Sequence, residues 1–70
     1  MYLFKIELKD KVKKKIKSRE LAKEIGVHEV QISRILNNKS KTSKPVAYLL
    51  TKLIDKNAEI DDYFVNIKER

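Results

Sequence analysis

The sequence predicts an all-α domain, a compact bundle of about five short helices in which residues 1–70 form a single unit. Three observations carry that prediction. Apolar side chains recur every three or four residues along most of the chain. The segments they define are short and end at polar breaks. Cysteine is absent, so neither a disulfide nor a thiolate metal site supplements the packing of helices on one another. A 70-residue chain buries only roughly 60% of its unfolded surface, and its stability is correspondingly modest.

Composition narrows the partners. With 17 Lys and Arg against 10 Asp and Glu, the net charge is +7 and the pI about 9.7, in the range expected of a domain that meets a polyanion. Charge alone is a weak warrant, because a solvated lysine surface gives the same total. Its distribution says more: residues 57–70 hold Glu59, Asp61, Asp62 and Glu69 against Lys68 and Arg70, whereas the preceding chain is strongly basic. No apolar run approaches the roughly 18 to 20 residues of a membrane span, and MYLFKIELKD lacks the basic-then-apolar order of a signal peptide. The expectation is a cytoplasmic protein with no membrane partner.

Phe4, Leu8, Val12 and Ile16 recur every four residues, with Lys9, Lys11, Lys13, Lys14 and Lys15 on the other faces, which predicts a first helix over about 7–16. Phe4, Ile6 and Leu8 also alternate at period two, so residues 2–7 read equally as a short extended segment, and periodicity over so few positions does not choose. Leu21, Ala22 and Ile25 predict a second helix over about 18–25, with Glu20 complementing the dipole of its first turn. Val30 or Gln31, Ile32, Ile35 and Leu36 predict a third over about 29–37, closed by Asn37 and Asn38, which tolerate left-handed backbone. Residues 38–44 carry lysines and small polar side chains and read as a loop ending at Pro45, whose fixed φ suits a helix start. Val46, Leu49, Leu50, Leu53 and Ile54 give a fourth helix over about 45–55. Ile60, Phe64 and Ile67 space as a short fifth over about 61–67, with Asp61 or Asp62 as its cap.

Gly26, the only glycine, stands between the second and third helices. Two helices joined within a few residues must reverse sharply, and the residue that ends the first then adopts φ > 0 at least cost when it is glycine. Ala22 falls on the face that the third helix crosses, where a larger side chain would hold the two apart. Leu21 and Ile25 from one side, Val27, Ile32 and Ile35 from the other, complete the core of a helix-turn-helix.

In Leu21, Ala22, Ile25, Gly26, Val27, Ile32 and Ile35, followed by Asn37, Asn38 and Lys39, the chain resembles the Cro and repressor-type helix-turn-helix family of phages and bacteria, whose fold is the lambda-repressor-like DNA-binding domain. The resemblance extends over about residues 7–67. It departs from the family pattern at Lys17, where Ser, Thr or Asn is common and Ser18 follows one position late. It departs again at His28, in place of the usual Ser or Thr, at Asn38, in place of a glycine, and in a longer loop before Pro45.

The resemblance implies a sequence-specific transcriptional regulator, a Cro-like repressor that acts by occupying a promoter. Its third helix would enter the major groove of double-stranded DNA. With Ile32 and Ile35 inward, His28, Glu29, Val30, Ser33 and Arg34 face outward toward base edges. Arg34 is the strongest reader, since a guanidinium bonds bidentately to guanine O6 and N7; Glu29 either accepts from cytosine N4 or merely complements the helix dipole; Val30 meets a thymine methyl. Phosphate contacts fall to Ser18 and Arg19 and to Asn38, Lys39, Lys41 and Lys44, joined by the basic end of the first helix. A homodimer on a palindromic operator is expected, with Tyr63, Phe64 and Val65 as the partner surface. The competing reading is an antirepressor, which would use the same fold to bind another repressor protein. His28 caps its helix or meets a phosphate: one imidazole without cysteine or a second histidine makes no zinc site, and no motif supplies a nucleophile. No enzyme activity, metal or cofactor is expected.

Overall fold

The N-terminal segment, which reads equally as strand or helix, is a strand. In the computed structural model, which describes residues 1–68, β1 (Tyr2–Phe4) pairs antiparallel with β2 (Phe64–Asn66) in the register Tyr2 to Asn66, Leu3 to Val65 and Phe4 to Phe64. Thr42 adds a one-residue bridge on the other side of β1, its N–H donating to the Tyr2 carbonyl at 2.8 Å and its carbonyl accepting from Tyr2 at 2.7 Å.

Between the strands lie the helices. A 3₁₀ turn (Ile6–Leu8) leads into α1 (Lys9–Lys15), so the first helix is narrower than the expected 7–16 and Phe4 reaches the core from a strand. Then follow α2 (Ser18–Ile25), α3 (Glu29–Leu36), α4 (Lys44–Ile54) and α5 (Ile60–Tyr63), and the predicted second to fourth helices agree with these to within a residue.

The fifth helix is the main correction. Expected over 61–67, it stops after one turn at Tyr63, and residues 64–66 continue as β2. So short a helix gains little from its own hydrogen bonds. Extended backbone instead lets Phe64 meet Phe4 edge-on, ring centroids 5.4 Å apart and planes at 69°. The helix is capped at Glu59 rather than at Asp61 or Asp62; Asp62 serves as the return partner, its carboxylate accepting from the Glu59 N–H at 2.8 Å. As a consequence Tyr63 and Phe64, assigned above to a partner surface, are core residues at 3% and 1% exposure, and of that trio Val65 alone is open to solvent.

One core unites these elements. Phe4 and Phe64 from the sheet pack with Val12, Leu21, Ile32, Leu36, Leu50 and Ile54 from four helices, and Ala22 and Ala47 supply the small contacts that let helices approach. Thr51 is fully buried, and its hydroxyl is satisfied by the Ala47 carbonyl one turn back at 2.8 Å.

Candidate nucleic-acid interface

The motif is fixed by its turn. Gly26 has φ +86° and ψ +33°, and the carbonyl of Ala22 accepts from both Gly26 N–H (2.8 Å) and Val27 N–H (3.0 Å). A β-carbon placed on Gly26 would meet nothing within 4 Å, so the glycine is needed for its left-handed backbone and not for space. Ala22 is buried where α2 and α3 pack, as its size demands.

That packing decides which face of α3 is free. Ile32 is fully buried, Ile35 nearly so, and Leu36 joins them in the core. His28, Glu29, Val30, Ser33 and Arg34 are all exposed and share the outward side, with Val30 61% exposed. His28 occupies the N-cap with extended backbone, but its side chain makes no capping bond, so the capping role expected of it is not realised.

At the near flank, α1 ends where α2 begins. Lys13, Lys17, Ser18, Arg19 and Glu29 line an open cleft of about 320 Å³. The N-cap of α2 is Lys17, which offers no side-chain bond, and the first amides of the helix therefore keep free hydrogen-bonding capacity beside three cationic side chains. A helix N-terminus of this kind, flanked by cations, suits an anion such as phosphate. Glu29 introduces a carboxylate at the rim of the same cleft.

At the far flank, Asn38 takes the left-handed conformation (φ +65°) at the end of α3, the role left vacant by a second glycine. Lys39 N–H donates to the Arg34 carbonyl at 2.9 Å. Three residues on, Thr42 is clamped to β1, so the segment bearing Lys39 and Lys41 is held at both ends. Lys44 opens α4, exposed. A second cleft of about 310 Å³ runs between this segment and α3, with Arg34 and Gln31 on one wall and Lys41 and Ser43 on the other.

Two contributors escape the sequence. Asn37 donates from Nδ2 to the Ser33 carbonyl at 2.8 Å and to Ser33 Oγ at 3.2 Å, while its Oδ1 accepts from Lys9 Nζ of α1. This braces the C-terminal end of α3 and leaves the Ser33 hydroxyl proton available. Thr42 is the other. The four-residue spacing of Ser33 and Asn37 was a readable signal; the partners Lys9 and Tyr2 are remote in sequence and gave none.

Among the described residues no group of His, Cys, Asp and Glu could hold a metal ion, and no helix is long and apolar enough to cross a membrane. Neither the curated proteins nor the solved structures give a match to this chain. The helix-turn-helix family model HTH_3 matches residues 8–60, which run from the end of the 3₁₀ turn to the start of α5 and include the motif, the cationic cleft and the braced loop. The chain thus belongs to the XRE-type helix-turn-helix family of DNA-binding transcription regulators.

Proposed function

We propose that the chain is a Cro-like repressor that recognises a specific double-stranded operator and acts by promoter occupancy. The observation that carries this reading is the arrangement around α3: an outward face of His28, Glu29, Val30, Ser33 and Arg34 stands between two cationic flanks, Ser18 and Arg19 on one side and Asn38, Lys39, Lys41 and Lys44 on the other. The flanks set register on the phosphates while the face between them reads base edges. Arg34 is the reader of a guanine. Lys13 and Lys17 join the phosphate contacts through the cleft they share with Arg19. One recognition helix covers about half a turn of duplex, so two copies bind a palindrome with half-sites about 34 Å apart.

Selection of bound sequences from random duplex DNA at about 150 mM salt tests the reading. A palindromic motif with guanine in each half supports it; unenriched, weak binding overturns it. Val30, apolar and 61% exposed at the tip of α3, favours a second reading, an antirepressor whose α3 face meets another repressor protein. That reading predicts no base preference and a folded protein partner retained on the Val30 face.

A further inference from the structure

The helix α4 breaks the pattern of a surface helix. Such a helix turns an apolar stripe to the core and a charged face to water, and one that is apolar all round belongs in an interior. In α4, Ala47, Leu50, Thr51 and Ile54 face the core. The opposite side carries Pro45, Leu49 and Leu53 at successive turns, flanked by Tyr48 and Val46, and Lys52 is the one charged residue from Pro45 to Ile54. Tyr48 and Leu49 are about half exposed, while Val46 and Leu53 are partly sunk against the core.

The rim of this stripe is cationic. Lys44 opens the helix, Lys52 lies within it and Lys56 follows its end, and no carboxylate occurs from Lys44 to Ile54. Asp55, the first to follow, is turned toward Lys15 of α1 at 3.9 Å. Lys52 is held in place: its Nζ sits 5.5 Å from the centre of the Tyr48 ring and donates to the Ala58 carbonyl at 2.8 Å. Its charge therefore stands beside the apolar stripe already ordered, and a partner need not restrain a free lysine chain to meet it.

We infer that the outward face of α4 docks an amphipathic helix of another protein, whose apolar stripe lies along Leu49 and Leu53 and whose borders set Asp or Glu against Lys44, Lys52 and Lys56. Charge selects this occupant. A second copy presenting the same face sets lysines against lysines across a two-fold axis, which costs free energy, whereas acidic borders are complementary. Shape agrees, because Val46 and Leu53 are sunk beside the more open Tyr48 and Leu49. Such a recess receives the side chains of a docked helix, whereas insertion into a bilayer calls for a face that stands clear of its own core. Apart from Lys44, none of these residues belongs to the surface proposed to meet DNA, so the inference is independent of that reading. Taken together, the two let one chain hold an operator and a second protein at once.

The probe is a synthetic peptide of about 18 residues, long enough to populate a helix, with leucines at helical spacing and glutamates along both borders. It is labelled for fluorescence anisotropy and titrated with the full chain. A counterpart with the same leucines and lysine for each glutamate is the charge control. The glutamate peptide is expected to bind with a dissociation constant below about 100 µM, and the lysine peptide at least about tenfold more weakly.

Leu49→Lys separates docking from simple attraction between an acidic peptide and a chain of net charge +7. Added positive charge strengthens simple attraction, but on the exposed stripe it should weaken docking by at least about tenfold. Far-ultraviolet circular dichroism confirms folding, and should Leu49→Lys fail to fold, Tyr48→Ser decides by the same loss. Absence of binding by the parent, equal binding of the two peptides, or a Leu49→Lys variant that binds as the parent does or more tightly overturns the inference. Loss of binding on Val30→Lys in place of Leu49→Lys moves the site to α3 and overturns it too. Two other occupants do the same: a parent that sediments as a dimer while Leu49→Lys is a monomer, and a parent that binds vesicles of anionic lipid through Leu49 while ignoring the glutamate peptide. The titration contains no DNA, so its outcome and that of the operator selection are read separately.

Discussion

The α2–turn–α3 unit and the β1–β2 sheet are built by opposite routes. The first is contiguous: its turn bonds, its small residue at the crossing and its inward isoleucines all lie between Ser18 and Leu36. The second joins the two ends of the described chain, with Phe4 against Phe64 and Thr42 clamped on the outer side of β1. Local order in the first comes from backbone propensity. In the second it exists only once the helices have folded and brought the ends together, because loop closure must precede the contacts that reward it. The comparison teaches that the part of the molecule proposed to face DNA is specified by short-range rules, while the sheet that joins the two ends of the described chain is a product of the whole fold.

The largest test of that contrast is Phe64→Ala. Removing a fully buried ring from the sheet should cost about 3–5 kcal/mol. That is comparable to the whole stability of a domain this small, at roughly 0.05–0.15 kcal/mol per residue. Urea unfolding followed by circular dichroism should show the variant largely unfolded in buffer. If it folds normally, the sheet is not part of the cooperative unit.

Arg34→Ala addresses the contiguous unit. It should leave stability within about 0.5 kcal/mol of the parent and reduce discrimination at one base pair by about 1–3 kcal/mol. Equal loss on every sequence would assign Arg34 to a phosphate instead. Gly26→Ala isolates the backbone requirement, since the added methyl meets open space. A cost of about 1–2 kcal/mol is expected from the left-handed φ alone, and Gly26→Val should cost more because its β-carbon is branched. A variant as stable as the parent would remove the turn from the argument.

Lys39→Ala should weaken binding to all sequences alike and lower the slope of log K against log salt by about one, without moving the unfolding midpoint. Glu29→Gln, at the rim of the cationic cleft, should shift the same measurement slightly in the opposite direction, toward tighter non-specific binding. The smallest effect belongs to Lys15 and Asp55, an exposed pair 3.9 Å apart whose removal should change stability by less than about 0.5 kcal/mol.

Most of the helix-turn-helix was legible in the sequence because each of its signals is local. Gly26, Ala22 and the inward isoleucines answer to spacing and backbone preference, and the outward face of α3 follows once those point in. Ser18, Arg19 and Lys39 came instead from the resemblance to the Cro and repressor-type family, not from spacing. The C-terminal segment was misread for a physical reason: Ile60, Phe64 and Ile67 satisfy helical spacing, yet over so few residues the spacing does not exclude a strand, and the deciding contact with Phe4 lies at the other end of the chain. The same blindness hid the brace of Lys9 on Asn37 and the clamp of Thr42 on Tyr2.

What the sequence by itself determined is the charge, the turn at Gly26, the helix that faces outward and the residues it presents. These depend on neighbours three or four positions away, where backbone sterics and helical geometry leave few alternatives. Only the tertiary structure decided that residues 2–4 and 64–66 are strands, and that Tyr63 and Phe64 belong to the core while Val65 does not. Strand pairing is a contract between distant segments, and its register depends on which side chains the folded helices leave room to bury.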